Sequence, residues 1–255
     1  MTSSKSTYQI TLKNSLGYIL GISLLLLASC KEVQHPSYQK VAHSGALRTI
    51  MSGDLSATAS LDTLAVKDHL YALGAVAQLK GEIQIFDGAP FISSVNENKV
   101  AIDPAFSKKA ALLVYAVVPS WEEIKIPTAI DTQEALEAFI IETATSLKID
   151  TNAPFPFLIE GNASSLSWHI IDWPEGDMEH THQKHKESGL NGALKDKEVS
   201  VLGFYSDKHK GVFTHHSTNL HMHFKTKDGL LTGHLDAIEI GEGMRLKLPN
   251  DESKS

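Results

Sequence analysis

Apolar and polar residues change their spacing several times along this chain, and each change predicts an element. Polar residues with Lys5 and Lys13 are followed by an apolar run of about 13 residues from Leu16 to Ala28. That is too short to span a bilayer, which takes ~20 residues, but it has the length of the apolar part of a secretory signal. Ser44 to Ser60 is polar and mixed, with Gly45, Gly53 and Asp54 as breakers. Asp62 to Leu73 predicts a short helix with Asp62 at its start. Gly81 to Phe86 alternates and then turns at Asp87-Gly88, which predicts a strand and a turn. Ala110 to Val118 is continuously apolar and predicts a buried strand ended by Pro119. From Asp131 the period becomes helical. Asp131 and Glu134 have capping-box spacing, and Leu136, Phe139, Ile140, Thr143 and Leu147 share a face. Phe157 to Gly161, Val199 to Phe204, Asn219 to Lys225 and Leu230 to Ile240 predict strands, with a long polar loop from Trp173 to Lys197. Each half thus has a helix followed by a series of strands, an α+β arrangement.

Composition narrows the chemistry. The chain carries 23 basic and 30 acidic residues, a net −7, and its only arginines are Arg48 and Arg245. A nucleic-acid binder needs a basic face, and this balance argues against one. A single cysteine, Cys30, excludes an intramolecular disulfide framework and every multi-cysteine metal site. It stands at the end of Leu27-Ala28-Ser29-Cys30, directly after the apolar run, and the tetrad resembles a bacterial lipobox. The resemblance implies a signal peptide over 1–29 and diacylglycerol on Cys30, with 30–43 as a tether. The alternative is an ordinary signal peptide with a chance cysteine. The body is expected over 44–245, in two similar halves of about 44–125 and 126–245, with 246–255 as a flexible tail.

Ten of the 13 histidines fall between His169 and His234. His221-Met222-His223 sits in a strand pattern, where residues i and i+2 share a face. Asp228-Gly229 is a hairpin signal. Taking those two residues as the loop places His223 opposite His234, and directly opposed Cβ atoms lie ~4.5–5.5 Å apart. Three imidazoles on one face of one hairpin fit a zinc site with an open, catalytic position. Three unrelated surface histidines are the other reading.

This stretch resembles the acetolactate decarboxylases, whose hallmark is a His-x-His-Phe strand followed by a Gly-His after a short turn. Here the residues are His221-Met222-His223-Phe224 and Gly233-His234. Leu73-Gly74, Leu79-Lys80-Gly81-Glu82-Ile83 and Asp87-Gly88 resemble the family's Gly-Glu strand. The likeness runs from about Gly45 to Glu239. It implies a duplicated fold, each half a helix packed on a mixed sheet. It also implies conversion of 2-acetolactate to acetoin and carbon dioxide, with zinc on His221, His223 and His234 and with Glu82 as the proton-delivering acid.

Three family features are not matched. The strand arginine falls at about His169, in Ser167-Trp168-His169, the threonine seven residues before the site glutamate is Ala75, and no C-terminal glutamate aligns, with Glu242 and Glu252 as candidates. His169 is therefore the expected cationic partner of the substrate. His180, His182, His185, His215 and His216 read as a lid or a second metal contact, or as a solvated loop. The expectation is a zinc-dependent carboxy-lyase, lipid-anchored in the envelope of a Gram-negative bacterium. Its partners are a small substrate and, through the anchor only, the membrane, with a homodimer left open and no nucleic acid. A zinc hydrolase on the same scaffold and a non-catalytic metal- or ligand-binding lipoprotein are the rivals.

Overall fold

The computed structural model describes residues 1–2, 38–215 and 217–250. Cys30, all but the first two residues of the expected signal peptide and most of the expected tether lie outside them, as do His216 and Glu252.

The first sheet is built from β1 (Ala42–Ser44), β2 (Ala59–Ser60), β3 (Leu70–Val76), β4 (Glu82–Phe86), β5 (Ala89–Pro90), β6 (Ile92–Asn96), β7 (Lys99–Asp103) and β8 (Lys109–Val117). Its main order is β1-β8-β3-β4-β6-β7. A short helix α1 (Leu47–Met51) follows β1. The helix expected over 62–73 is one 3-10 turn, Leu61–Leu64, and the chain then enters β3. Tertiary pairing overrides local propensity there, because β3 lies between β4 and β8 and buries both faces. Gly81 admits the close start of β4. Its φ is +139°, and a Cβ there would lie 2.1 Å from the Ser93 carbonyl oxygen.

The second sheet comprises β9 (Trp121–Lys125), β10 (Phe155–Ile170), β11 (Leu190–Tyr205), β12 (Leu220–Thr226), β13 (Thr232–Glu239) and β14 (Arg245–Pro249), with α2 (Gln133–Ser146) and α3 (His182–Glu187) in its connections. The fold is α+β as expected. All pairings between the named strands are antiparallel, however, rather than mixed. Strands β10, β11, β12 and β13 pair in a closed ring, since β11 also bonds β10.

Several boundaries differ from the sequence reading. β9, assigned there to the first half, pairs with β14 in the second sheet. Leu246 and Leu248 of the expected tail are buried in β14. β1 takes Ala42 and His43 from the expected tether. Thr132, not Asp131, caps α2, its Oγ1 accepting from the Ala135 N–H at 3.1 Å. Leu147 ends that helix exposed, while Leu136, Ile140 and Ala144 are buried. The segment read as a loop over 173–197 holds α3 and the first part of β11. Its polarity reflects an outer face in water, while Leu190 and Leu194 pack on the core.

Strand alternation decides which way the chemistry points. Met222 and Phe224 of β12, Leu235 of β13, and Trp168 and Ile170 of β10 share one core with Leu136, Ile140 and Ala144 of α2. Their sequence neighbours His221, His223, His234 and His169 therefore face the opposite way, as a period of two requires. A second core on that side joins Leu73, Leu112 and Val114 of the first sheet to Leu158, Leu202 and Phe204 of the second. The histidines sit where the two sheets meet.

Candidate metal centre

The hairpin register is as expected: His223 pairs with His234 and Lys225 with Thr232. The turn is wider than two residues. The ladder closes at Thr226, whose N–H donates to the Leu231 carbonyl at 2.9 Å, and Asp228 caps the turn through the Thr226 hydroxyl and the Leu230 N–H. Register survives because the extra residues are shared equally between the strands.

His221, His223 and His234 are all buried and bring one ring nitrogen each within 4.8 Å of the others. His221 Nε2 lies 3.2 Å from His223 Nε2, and His234 Nδ1 lies 3.3 Å from the same atom. Ligands at ~2.0–2.1 Å from a tetrahedral ion are about 3.3–3.4 Å apart, so the spacing suits one small ion. Burial pushes the His221 imidazole down to about 3, with His215 as the next cause. Burial and then the neighbouring histidines hold His223 and His234 well below their ordinary value. All three rings are neutral at pH 7, the form that ligates.

Gln84, which the sequence reading passed over, supports the centre. It is two residues after Glu82 on β4, so both face the histidines. The Thr232 hydroxyl lies 2.6 Å from Gln84 Oε1, and Gln84 Nε2 lies 3.0 Å from His223 Nδ1. A hydroxyl both donates and accepts. With the amide turned over, Oε1 accepts from the Nδ1–H of His223 and frees its Nε2 for an ion, a common supporting arrangement for metal-binding histidines. The alternation Glu82-Ile83-Gln84-Ile85 carried the signal.

Glu82 comes from the first sheet. Its Oε2 is 3.8 Å from His223 Nε2, and its Oε1 accepts from the Ile171 N–H at 3.3 Å. Burial raises its carboxyl well above the usual range, offset in part by the Ile171 N–H and reinforced by the charge of Asp236. His169 pairs with His234 across β10 and β13, so His169, His234 and His223 form one row over three strands. His169 Nδ1 lies 3.0 Å from Asp236 Oδ1, and Lys186 reaches the other oxygen at 3.2 Å. Burial alone would raise Asp236, but the hydrogen bond to His169 and the charges of His169 and Lys186 outweigh it and hold its carboxyl low. Ala75 lines the same small cavity as Glu82 and His169. Glu242 is exposed in the turn before β14.

The polar segment after β10 is only partly packed, with His180 and His185 half-buried and His182 exposed. Trp173 stacks on His180 at 4.5 Å, His180 Nδ1 lies 2.9 Å from His185 Nε2, and His182 contacts His215. Lys80 fastens the segment through Asp172 and the Trp173 carbonyl. His182, His185 and His215 line the cavity beside the metal centre.

The buried rings predict an acid-side instability of the metal-free protein. Below pH ~6.5 the unfolded chain takes up protons on three histidines that the folded chain keeps neutral, and folding loses about 1.4 kcal/mol per pH unit for each. Glu82 works the other way and offsets one of them, because above ~4.5 only the unfolded chain ionises it. The expected net loss is about 3 kcal/mol per unit between pH 6.5 and 5. Urea unfolding of chelated protein at several pH values measures it, and a flat profile would contradict neutral rings.

A family model described as alpha-acetolactate decarboxylase matches residues 41–251. Among solved structures, the alpha-acetolactate decarboxylase of Bacillus subtilis strain 168 is similar, with a TM-score of 0.65 at 13% identity over 83% of this chain and 86% of that one. A Staphylococcus aureus protein, described as of unknown function and similar to alpha-acetolactate decarboxylase, gives 0.64 at 16% identity over 84% and 87%. A comparison with curated proteins finds no match.

Proposed function

The chain belongs to the alpha-acetolactate decarboxylase family, and from that premise we propose that it is a zinc-dependent carboxy-lyase acting on 2-acetolactate or a similar 2-hydroxy-3-oxo acid. The observation that carries the reading is the convergence of three neutral imidazoles beside a buried carboxyl whose ionisation burial opposes.

His221, His223 and His234 would hold the ion. Zinc, when bound, supplies a Lewis acid for the substrate's carbonyl and hydroxyl oxygens and for the negative charge that grows as carbon dioxide leaves. The remaining work falls to the protein. The bond between the carboxylate and C2 breaks, and its electron pair moves into an enediolate. Glu82 gives its proton to that carbon, which completes acetoin, and regains one from water. Burial raises the Glu82 carboxyl well above its ordinary value, which favours the protonated form this step needs. His169 stands where the family carries an arginine. Asp236 accepts its Nδ1–H, and in the imidazolium form the Nε2–H donates to the substrate carboxylate. His182 and His185 of α3 line the cavity beside the site.

Carbon dioxide release from 2-acetolactate by the zinc-loaded protein tests this. Release is expected, and it should stop with a chelator and return with zinc. No release at full zinc occupancy would leave the hydrolase or the metal-binding reading.

The same proposal includes the address. The apolar run ending at Leu27-Ala28-Ser29-Cys30 supports lipidation of Cys30 and anchoring in a Gram-negative envelope. Mass spectrometry of the membrane fraction should find a mature chain starting at acylated Cys30. A free Cys30 thiol would end that part. The partners on this reading are a small acid and a membrane reached only through the anchor, with a homodimer compatible and no nucleic acid.

A further inference from the structure

Two cavities adjoin at the histidine centre. The inner one, about 60 Å³, is lined by Glu82, His169, His221 and His234. The outer one is about 530 Å³, and Leu47, His182, His185 and His215 line both. The outer one falls in the ~300–1,000 Å³ range of sites that enclose ligands.

Helix α1 forms one wall of the outer cavity. The Leu47 N–H donates to the Val212 carbonyl at 2.8 Å and the Arg48 N–H to the Gly211 carbonyl at 2.9 Å, which fixes the helix against the loop before β12. Leu47 and Met51 supply apolar surface, and Met51 is 40% exposed. Arg48 lines the same cavity. Among the described residues its guanidinium has no partner, whereas Arg245, the other arginine, is paired with Glu123 at 2.7 Å. No carboxylate is among the described residues that line the cavity, and burial lowers His185 to about 4, so that ring is neutral. Among its described residues the cavity thus combines the apolar surface of Leu47 and Met51 with one permanent positive charge, on the exposed Arg48, and a guanidinium matches a carboxylate with two parallel hydrogen bonds.

We propose that the outer cavity is a substrate subsite, and that the preferred substrate is a 2-hydroxy-3-oxo acid whose oxo side carries an apolar chain ending in a carboxylate paired with Arg48. This rests on the decarboxylase reading and deepens it. The chemistry is unchanged: the carboxylate on C2 leaves as carbon dioxide, Glu82 supplies the proton, and the distal carboxylate is retained.

The test measures carbon dioxide release by the zinc-loaded full chain from 2-acetolactate, 2-hydroxy-2-methyl-3-oxooctanoate and 2-hydroxy-2-methyl-3-oxooctanedioate. The expected order of kcat/KM is diacid, then long monoacid, then acetolactate, with diacid over monoacid by about tenfold, the worth of one charge-assisted contact. Arg48→Gln should bring the diacid-to-monoacid ratio close to one, through KM. Met51→Trp, which fills the cavity, should lower both long acids relative to acetolactate. Acetolactate turned over as well as the long acids overturns the subsite and leaves the decarboxylase reading standing. A diacid preference that persists in Arg48→Gln overturns the pairing. Release from none of the three at full zinc occupancy removes both readings.

Discussion

His223→Ala is expected to empty the metal centre and abolish decarboxylation. His223 is the middle of the cluster: both other ligand nitrogens lie within 3.3 Å of its Nε2, and its ring is fully buried. Two imidazoles with no cysteine nearby cannot hold zinc as three do. Metal content should fall from about one ion per chain to less than a tenth of that. Carbon dioxide release should fall at least ~10³-fold, since even one donor to a developing oxyanion is worth 10²–10³. The fold should persist, because the hairpin is held by its backbone ladder and by Met222 and Phe224 on the other face. Removing the ring leaves Gln84 short of a partner, a cost of ~1–3 kcal/mol. Metal analysis and circular dichroism on one preparation settle the matter. Unchanged zinc in a folded variant would disprove the hairpin as the metal centre.

Glu82→Gln should separate proton delivery from metal binding. The amide matches the carboxyl in size and keeps an oxygen for the Ile171 N–H, but it carries no acidic proton. The rate should fall ~10²–10⁴-fold, the usual worth of a positioned acid, while zinc content stays the same. The variant should also change stability at alkaline pH. In the wild type the Glu82 contribution to folding is lost as pH rises above ~4.5, because the unfolded chain releases the Glu82 proton and the folded chain retains it until well above that value. The variant lacks this loss, so the metal-free variant should fall in stability more steeply than the wild type from pH ~6.5 to 5 and run flatter than it from pH ~6.5 to 8. An undiminished rate would remove Glu82 from the chemistry. A lowered rate with an unchanged stability profile would mean that the wild-type carboxyl is ionised in the fold.

Much of the metal centre could be read from spacing because it is local. His221, His223 and His234 lie on two strands joined by a short turn, so strand alternation and one hairpin register bring them together. The register held even though the ladder closes at Thr226 and Leu231, outside the two-residue turn, since a symmetrical widening leaves every opposed pair in place. Glu82 was reachable from the sequence only through the family likeness. A lone glutamate in a strand ordinarily faces water, and its burial depends on a second sheet more than 80 residues away in the chain.

Elements made by non-local pairing were misread for the same reason. Residues 190–198 look like a loop because one face is polar and in water, yet β10 supplies their hydrogen bonds. Residues 246–249 look like a tail, yet β10 and β9 flank them. The stretch before Leu73 has helical spacing, but two neighbouring strands hold Leu70 to Leu73 extended.

Period-two alternation and turn chemistry fixed the strands, the hairpin and the face on which the histidines stand, because those depend on neighbours a few residues apart. Three things waited for the packing of distant segments: Gln84 against His223, the row that places His169 beside His234, and α1 carrying Arg48 to the outer cavity. In each case the contact spans 65 residues or more, and it is selected by the association of distant segments: sheet on sheet for Gln84, strand beside strand for His169, and helix against loop for Arg48. Local spacing carries no record of that choice.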